Sequence, residues 1–557
     1  MNIPSTRSPR WLFCCAAAFL SFALLTQSAT AQGEHIKSNL LHEIWGVAGG
    51  EGVGTTTAML GDLNADGYDD IAIGAPGAYS YAGAVYVYSG ATGDLLLELT
   101  GVNYGDTFGA SIAPLADINS DGFADIAVGA PNSANGYGEV YFISGYDGAT
   151  LFQTHANGQT LDQYGFSIAN VGDLDFDGFD EVLIGAHGTN ANNGAAYVVS
   201  PANGTTMFTL LGAITEGYFG ISVSGTGDAN GDLTGDFVIG AYGANSFSGK
   251  AYLYSGSDAS ALHEFTGLNT EDYLGSAVAA AGDLNQDGYA DLFIGAMGEN
   301  DFAGVVYAHS GFDGSPIAEF RGWYAGDSLG SAIAMVGDAD GDGVDDFLLG
   351  APGYDQTRGA ASLYSGATAS LLDYYTGYSR GDYFGWSIAP AGDYDGRLHA
   401  DFIIGAPGAD SETGADSGYF QAWSLWSPIL NPSSYEMSAA QGGFVFYGLD
   451  FPWEAGWGAY QLVVNLAGPG NTRWNGLDLP LKNDGLLQST IAGDVPGPCL
   501  GFAGILDGYG DGMAAIWVPG GLPAGMVGTT YWLAAVGGQI GGVWDFGSWA
   551  NPLTINP

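Results

Sequence analysis

The sequence predicts an all-β protein, a seven-bladed β-propeller closed by an N-terminal strand and followed by a C-terminal β-sandwich-like domain. A nine-residue acidic loop occurs seven times, and neighbouring copies are 55 or 56 residues apart. Each repeat alternates short β-type runs with glycine turns and shows no helical periodicity. Four short strands in a unit of this length are typical of one propeller blade.

The acidic loops define the register of the repeat. The first is DLNADGYDD, from Asp62 to Asp70, and the others begin at Asp117, Asp173, Asp228, Asp283, Asp338 and Asp393. We number these loops 1 to 7 and their residues as positions 1 to 9. A glycine stands eight residues before each first aspartate, and a Gly-Ala pair begins twelve residues after it. The glycine, the loop and the Gly-Ala pair thus keep the same spacing in all seven copies, which indicates a repeat architecture.

The two ends of the repeat array predict how the ring closes. LLHEIWGV, from Leu40 to Val47, resembles the fourth strand of the first unit, Leu95 to Val102, yet it precedes the first complete unit. The seventh unit ends after its third strand, near Gly418 to Ser424. We therefore expect the N-terminal strand to complete the last blade, which removes the exposed sheet edges of an open array.

The loops predict about six calcium sites. Positions 1, 3, 5 and 9 carry side-chain oxygens, position 7 can add its carbonyl, and position 6 is usually Gly, which permits a sharp turn. Hard oxygen donors in this number suit Ca²⁺. The predicted metal ligands are Asp62, Asn64, Asp66, Tyr68 and Asp70; Asp117, Asn119, Asp121, Phe123 and Asp125; Asp173, Asp175, Asp177, Phe179 and Glu181; Asp228, Asn230, Asp232, Thr234 and Asp236; Asp283, Asn285, Asp287, Tyr289 and Asp291; and Asp338, Asp340, Asp342, Val344 and Asp346.

This prediction has one alternative, and two loops depart from the common pattern. An acidic turn that caps its own backbone is the alternative, but carboxylates a few ångströms apart repel by roughly 3 to 4 kcal/mol per pair at an effective dielectric of about 20. Loop 4 has Leu233 where Gly is expected. In loop 7, Arg397 replaces the position-5 ligand and could neutralise Asp393, Asp395 and Asp401, so no calcium is predicted there.

Composition and the N-terminus predict an exported protein. Arg7 and Arg10 precede an apolar run from Trp11 to Leu25, and Ala29-Thr30-Ala31 offers a cleavage site, so residues 1–31 are predicted to be a signal peptide. We expect a secreted, cell-surface or periplasmic protein without a transmembrane segment.

The formal net charge of −50 disfavours nucleic acid and anionic membranes as partners. Since 46% of the residues are hydrophobic, the chain can still build large cores.

The predicted boundaries follow the repeat. The propeller covers residues 32–426, a Pro/Ser/Asn-rich linker covers 427–434, and the C-terminal domain covers 435–557. Runs such as GGFVFYGLDF and AYQLVVNLAG between Gly/Pro turns favour a β-sandwich there.

The residue pattern resembles a known family. Phe108-Gly109, the Asp-x-Asn-x-Asp-Gly loop and Gly129-Ala130-Pro131 are similar to the FG-GAP repeat of integrin α-subunit propellers, here in a secreted, bacterial type, over about Leu40 to Trp426. The resemblance implies calcium in the loop between the first two strands of a blade, and ligands on the opposite face. The equivalent residues of that face are Tyr79 to Tyr81, Asn135 to Tyr137, Phe247, Phe302, Tyr354, Tyr104, Tyr218, Trp323, Tyr324 and Tyr378, whose aromatic rings either bind a partner or pack turns between blades.

The function predicted from these features is an extracellular binding or adhesion module with structural calcium, whose partner is an unknown extracellular protein or glycan. No catalytic residues and no cofactor other than Ca²⁺ are predicted, so we do not expect an enzyme. The alternatives are an extracellular hydrolase or lyase acting on polysaccharide or phosphoester, and a self-associating surface-matrix protein. Arg380-Gly381-Asp382 spells an adhesion tripeptide, but Gly-Asp recurs at this place in other repeats, so its role stays open.

Overall fold

A computed structural model describes residues 37–156, 161–340, 342–396, 401–411 and 414–426, together with the backbone of the C-terminal strands named below. The predicted signal peptide and the loop 7 residue Arg397 lie outside the described residues. Among the described residues, no helix is long and apolar enough to cross a membrane.

The described chain before residue 427 forms seven four-stranded antiparallel sheets, which confirms the predicted β-propeller. Blades 1 to 3 consist of β2 (Thr56–Gly61), β3 (Asp70–Ala75), β4 (Ala84–Tyr88) and β5 (Leu95–Thr100); β6 (Ser111–Leu115), β7 (Asp125–Ala130), β8 (Glu139–Ile143) and β9 (Thr150–Thr154); and β10 (Ser167–Asn170), β11 (Val182–Ala186), β12 (Ala195–Val199) and β13 (Thr206–Leu211). Blades 4 to 6 consist of β14 (Val223–Gly227), β15 (Asp236–Ala241), β16 (Lys250–Tyr254) and β17 (Ala261–Thr266); β18 (Leu274–Gly282), β19 (Asp291–Ala296), β20 (Val305–His309) and β21 (Pro316–Arg321); and β22 (Ala332–Gly337), β23 (Asp346–Ala351), β24 (Ala360–Tyr364) and β25 (Leu371–Thr376).

The N-terminal strand completes the seventh blade, as predicted. This blade contains β26 (Ser387–Gly392), β27 (Asp401–Ala406) and β28 (Tyr419–Trp426), and its fourth strand is β1 (Lys37–Trp45), which pairs antiparallel with β28. The first strand of each blade contacts the first strand of the next, and β26 contacts β2. The first strands therefore form a closed inner ring. In blade 7, the N-terminal strand β1 pairs with β28 at the end of the repeat array.

Glu43 on β1 anchors this closure. Its carboxylate accepts hydrogen bonds from Tyr378 Oη (2.6 Å), Trp45 Nε1 (2.7 Å) and Gln421 Nε2 (2.8 Å). The Trp45 ring also lies 4.5 Å from the Tyr419 ring. The closing strand is thus held by side chains of blade 7 and of the blade 6–7 connection in addition to its backbone ladder.

The hydrophobic cores lie between adjacent blades. The core between blades 1 and 2 joins Val85 and Val87 on β4 to Ile126 and Val128 on β7, all fully buried. The core that closes the ring contains Ile71 and Ile73 of blade 1 and Ile403 and Phe420 of blade 7. Since the second strand of each blade is buried on both faces, it is a continuous apolar run rather than an alternating one.

Glycines permit the close approach of neighbouring blades. A Cβ placed on the Gly of each Gly-Ala pair would lie 2.0 to 2.2 Å from the carbonyl oxygen of the next blade's Phe-Gly-type glycine. The ring closes in the same way, since a Cβ on Gly405 would lie 2.1 Å from Gly54 O. First-strand hydroxyls support the contact, because Ser111 Oγ donates to Gly165 O (2.7 Å) and Ser387 Oγ donates to Gly54 O (2.7 Å). The two dipeptides of the repeat are therefore the two sides of one blade interface.

A left-handed turn follows the Gly-Ala pair in blades 1 to 6. The turns are α1 (Ala78–Tyr81), α2 (Ser133–Gly136), α3 (Thr189–Asn192), α4 (Ala244–Phe247), α5 (Glu299–Phe302) and α6 (Tyr354–Thr357). Each contains consecutive residues with positive φ, for example Asn300 and Asp301, both at 58°. Single left-handed residues cost roughly 1 to 2 kcal/mol, so their repetition indicates support from the neighbouring blade. That support includes the hydrogen bond from Tyr273 N to Phe247 O (2.9 Å).

Beyond residue 426 the described backbone contains only short strands. They are β29 (Leu430–Pro432), β30 (Glu436–Ser438), β31 (Gly443–Leu449), β32 (Ala459–Asn465), β33 (Pro469–Trp474), β34 (Leu477–Leu481), β35 (Ala503–Ile505), β36 (Gly512–Val518), β37 (Thr530–Gly538), β38 (Trp544–Gly547) and β39 (Asn551–Asn556). β29 falls within the predicted linker. The predicted β-sandwich packing depends on side chains outside the described residues, so the domain boundaries stay predictions.

The residue after each Gly-Ala pair distinguishes the middle blades from the others. Pro occupies this place in blades 1, 2, 6 and 7, whereas blades 3, 4 and 5 have His187, Tyr242 and Met297. His187 is 8% exposed, and burial lowers its pKa to about 4. Its Nδ1 has no hydrogen-bond partner among the described residues. The folded protein therefore holds this imidazole neutral.

We predict that Gly240→Ala destabilises the propeller by about 3 kcal/mol, because its Cβ would lie 2.1 Å from Gly275 O and the backbone of blade 5 must move. Chemical denaturation of the purified variant measures this change. Gly105→Ala is the control, since its Cβ meets no atom within 4 Å and its φ of +85° alone should cost about 1 kcal/mol. Equal losses for the two variants would contradict the role assigned to the blade interface.

We predict that His187→Phe reduces the acid sensitivity of folding. The unfolded imidazole takes up a proton below its usual pKa of 6.5, whereas the folded one resists protonation down to about pH 4. The wild type should therefore lose about 3 kcal/mol between pH 6.5 and pH 4 that the variant retains. Denaturation at constant calcium across this pH range measures the difference. Parallel stability curves for the two proteins would contradict a buried, neutral His187.

Candidate metal loops and ligand face

The structure places loops 1 to 6 between the first and second strands of their blades, as the sequence predicted. In loop 1, the N–H of Asp66 donates to Asp62 Oδ1 (3.1 Å) and to Asn64 Oδ1 (2.9 Å). The N–H of Gly67 donates to Asp62 Oδ2 (2.8 Å), and that of Tyr68 donates to Asp66 Oδ1 (3.0 Å). The backbone therefore wraps around the side chains of positions 1, 3 and 5.

This wrapping recurs in all six predicted metal loops. The N–H of position 5 donates to the side chains of positions 1 and 3, with distances of 2.8 to 3.1 Å. The N–H of position 7 donates to the position-5 carboxylate at 2.9 to 3.0 Å. The structure thus gathers the predicted ligands of positions 1, 3 and 5 within each loop.

The acid at position 9 is fully buried and ties the loop to the end of the third strand. In loop 1, Asp70 accepts hydrogen bonds from Leu63 N at Oδ2 (2.8 Å) and from Gly90 N at Oδ1 (3.1 Å). Ser89, beside Gly90, donates from Oγ to Asp66 Oδ2 (3.2 Å). Sequence reasoning missed this Ser-Gly pair, although it stands 19 and 20 residues after position 9 in five of the repeats.

Burial changes the acidity of these carboxyls. Burial, reinforced by the neighbouring carboxylates, raises the pKa of Asp70, Asp236, Asp291 and Asp346 to about 6. Burial likewise raises the pKa of Glu181 and Asp401 to about 7. Hydrogen bonds from backbone N–H groups oppose this shift without cancelling it. The loops therefore concentrate negative charge around carboxyls that are already costly to ionise.

Three loops bring acidic oxygens into one cluster among the described residues. Oxygens of Asp173, Asp175 and Glu181 lie within 4.8 Å of one another, and so do those of Asp338, Asp340 and Asp346. The third cluster is formed by Asp393, Asp395 and Asp401 of loop 7. Loops 1, 2, 4 and 5 have Asn at position 3, so one of their gathered oxygens belongs to an amide.

Loop 4 keeps the geometry of the others despite its missing glycine. Leu233 adopts a φ of +71°, and its N–H donates to Asp228 Oδ2 at 2.9 Å, as Gly does elsewhere. Its side chain is 85% exposed. The leucine therefore accepts a left-handed conformation in order to preserve the turn.

Loop 7 contacts loop 1, the next loop around the ring, much as loop 4 contacts loop 5, where Ala290 N donates to Asp228 O (3.0 Å). The N–H of Asp393 donates to Asp69 Oδ2 (2.9 Å), and the N–H of Asp69 donates to Asp393 O (3.3 Å). The predicted neutralisation by Arg397 falls outside the described residues. Its acids do converge, so the expectation that loop 7 lacks calcium remains a prediction.

The donor set of loops 1 to 6 fits a hard divalent cation. The gathered atoms are carboxylate and amide oxygens, which Ca²⁺ prefers. In loop 3, the buried Oε1 of Glu181 has no hydrogen-bond partner among the described residues. An oxygen left in this state normally requires a proton, a water molecule or a cation.

The connections at the other end of the strands carry the aromatic residues predicted for the ligand face. Those that are exposed are Tyr79, Tyr81, Tyr104, Tyr137, Phe302, Trp323, Tyr324 and Tyr378. Tyr218, Phe247 and Tyr354 are half-buried. Tyr378 donates to Glu43, so this ring also serves the closure of the propeller. Part of this set is therefore exposed, as partner binding requires, and part is packed in turns; partner binding itself stays a prediction.

One stretch of this face forms a continuous chain of rings across blades 3 to 5. Successive ring centroids lie 4.3 to 6.2 Å apart, in the order Phe166, His187, Tyr218, Tyr242, Phe247, Tyr273 and Phe302. We call this set the aromatic arc. Sequence reasoning named Tyr218, Phe247 and Phe302 but did not join them to the rest. The sequence feature that could have revealed the arc is the presence of His187 and Tyr242 where other blades have Pro after the Gly-Ala pair.

The Arg380-Gly381-Asp382 tripeptide lies on this face but does not present its carboxylate. Asp382 is 3% exposed, and its Oδ2 accepts hydrogen bonds from the N–H groups of Tyr378 (2.9 Å) and Ser379 (2.8 Å). Arg380 lies 3.6 Å from Asp355 Oδ1. The aspartate therefore stabilises its own connection, as the equivalent aspartates do in other blades.

Comparison with known proteins agrees with this architecture. The family model described as FG-GAP repeat matches residues 54–88, 108–143, 164–199 and 274–309. These segments fall in blades 1, 2, 3 and 5, and each contains one of the acidic loops.

Integrin α subunits are among the similar proteins. Integrin alpha-V of Gallus gallus is 32% identical over 294 residues, which cover 46% of this chain and 27% of that protein. Integrin alpha-5 of Xenopus laevis is 32% identical over 216 residues, covering 35% and 20%, and integrin alpha-4 of Xenopus laevis is 38% identical over 155 residues, covering 25% and 15%. The chain thus spans at most about a quarter of the length of these relatives. Its seven blades, its repeated loops and these matches together show FG-GAP repeats within an integrin-α-like β-propeller.

Proposed function

We propose that this protein is a secreted, calcium-binding propeller that acts as an extracellular binding or adhesion module. Calcium has a structural role in loops 1 to 6, and the ligand, an extracellular protein or glycan, binds the opposite face. We propose a binding role rather than a catalytic one. The likeness to integrin α subunits supports it.

The proposed calcium ligands are the side chains at positions 1, 3, 5 and 9 and the carbonyl at position 7. When bound, Ca²⁺ would neutralise the clustered carboxylates and link the first strand, the loop and the second strand of a blade. Support comes from the repeated wrapping of the loops and from the buried acid at position 9. Without a cation, the fold holds together carboxylates that repel one another in each loop.

The aromatic arc is the observation that carries the proposed binding role. It is confined to blades 3 to 5 and therefore breaks the sevenfold repeat, although the blade interfaces require no such asymmetry. Phe166 and Phe302, at its two ends, are 38% and 42% exposed. Amphipathic rings held rigid by their neighbours suit stacking on sugar rings or anchoring apolar side chains of a protein.

Export is proposed from the N-terminal sequence alone. Residues 1–31 have the charged start, apolar run and small-residue cleavage site of a signal peptide. Millimolar extracellular calcium would suit loops with an affinity of the extracellular type, about 10⁻⁴ M.

We predict that calcium raises the thermal stability of the full-length secreted protein. Six sites of about 10⁻⁴ M affinity at about 1 mM calcium would add roughly 8 kcal/mol in total. For a propeller of this size, that corresponds to an increase of about 10 °C in Tm. Scanning calorimetry in excess chelator and then in millimolar calcium measures the shift, with magnesium as the control ion. An unchanged Tm in calcium would contradict structural calcium sites.

We also predict that the aromatic arc is required for ligand binding. Phe302→Asn replaces an arc residue with one that tolerates its φ of +63° and removes the exposed ring. Tyr81→Asn is the matched control, because Tyr81 occupies the same turn position in blade 1, has a φ of +66° and lies outside the arc.

A panel of immobilised neutral glycans and extracellular-matrix proteins provides the test. Binding to the panel members that the wild type recognises should fall at least about tenfold for Phe302→Asn and stay unchanged for Tyr81→Asn. Equal loss in both variants, or no member bound by the wild type, would contradict the proposal.

A further inference from the structure

We propose that loop 3 is the dominant cation site of the propeller, because Glu181 offers it a buried carboxylate oxygen that competes with no backbone donor. This inference rests on the proposed calcium function. It concerns a difference among loops 1 to 6, which otherwise share one design. In loop 7 the buried Asp401 Oδ1 is likewise without a hydrogen-bond partner among the described residues, but Arg397 stands at position 5 of that loop.

In the other well-formed loops, the N–H of the glycine after the third strand binds the acid at position 9. Gly90, Gly145, Gly256, Gly311 and Gly366 donate to one oxygen of Asp70, Asp125, Asp236, Asp291 and Asp346, at 2.9 to 3.2 Å. A loop N–H donates to the second oxygen of the same acid. Both oxygens of these aspartates therefore share their lone pairs with backbone donors.

Blade 3 lacks the first of these donors. Pro201 stands where blades 1, 2, 4, 5 and 6 have glycine, and proline has no N–H group. Leu174 N still donates to Glu181 Oε2 (2.6 Å). Glu181 Oε1 is buried and, among the described residues, has no hydrogen-bond partner, and the same is true of the neighbouring Ser200 Oγ.

The backbone of blade 3 differs beside this acid. In blades 1, 2, 4, 5 and 6, a Cβ at the glycine position would lie 1.9 to 2.2 Å from the carbonyl oxygen of loop position 8. In blade 3, which has proline at this place, β11 begins at Val182, one residue after position 9, whereas the second strands of those blades begin at position 9 itself. The longer side chain of Glu181 still accepts the hydrogen bond from Leu174 N (2.6 Å).

The Glu181 carboxylate, which carries the unpartnered oxygen, lies among the acids of its loop. Oxygens of Asp173, Asp175 and Glu181 lie within 4.8 Å of one another, and Asp177 completes four carboxylates in the loop. A cation there can take both oxygens of Glu181 without displacing a glycine N–H, in the manner of a bidentate ligand. Since nothing else among the described residues satisfies Oε1, the cation also removes the cost of leaving it bare.

Loop 6 provides an internal comparison. It also has four carboxylates, and oxygens of Asp338, Asp340 and Asp346 cluster within 4.8 Å. Asp346, however, accepts hydrogen bonds from Ala339, Asp340 and Gly366. The two loops therefore carry equal charge, but only in loop 3 does the buried acid keep an oxygen that no backbone N–H binds among the described residues.

Calcium titration of the full-length secreted protein by calorimetry, in competition with a chelator, tests the proposal. For the wild type we expect one site at least tenfold tighter than the others. Glu181→Gln should abolish this site, and Asp346→Asn in loop 6 should leave it intact while removing a weaker one. Pro201→Gly restores an N–H donor and should weaken the tightest site about tenfold without removing a ligand.

The outcomes distinguish the inference from the function on which it rests. If the wild type bound no calcium, both would fail. If calcium bound but Glu181→Gln and Asp346→Asn affected the tightest site equally, only the inference would fail. Circular dichroism in calcium establishes whether each variant is folded. If Glu181→Gln does not fold, Pro201→Gly provides the test, and an unchanged affinity of its tightest site would overturn the inference.

Discussion

The structure depends on the contact between two glycines at each blade interface. The glycine of the Gly-Ala pair lies against the carbonyl of the next blade's first-strand glycine, so closely that a methyl group would overlap it. This approach allows the inner strands to form a ring and brings the apolar second strands of neighbouring sheets into common cores. Because Gly405 makes the same contact with Gly54, the last interface resembles the others, and no sheet edge is exposed at the junction.

The ring separates two kinds of surface at opposite ends of the strands. One end carries the acidic loops, in which the backbone wraps around the side chains of positions 1, 3 and 5 and a buried acid at position 9 binds loop N–H groups. The other end carries the left-handed turns, which dock on the following blade and hold the aromatic rings in place. Repetition is strict where the fold needs it, at the two glycines of each blade interface. It is relaxed at the residue after each Gly-Ala pair, where His187 and Tyr242 join the aromatic arc.

Most of the propeller could be predicted because its signals are local and repeated. The ligands of one loop lie within nine residues, and the closing strand resembles the strand that it replaces. The missed features involve contacts between distant segments. The Ser89-Gly90 pair acquires its meaning only when the third strand ends beside the loop, and Pro201 matters only because Glu181 is its neighbour in space. The left-handed turns contain residues such as Tyr79 and Ala134, which do not favour that conformation on their own.

Anomalous diffraction from crystals grown in millimolar calcium shows whether the acidic loops hold calcium within the closed propeller, since the ions scatter anomalously and the neighbouring oxygens hardly do. We expect anomalous peaks inside loops 1 to 6, each among the side chains of positions 1, 3, 5 and 9. Loops without anomalous density, their carboxyls instead hydrogen-bonded to one another or to water, would contradict this expectation.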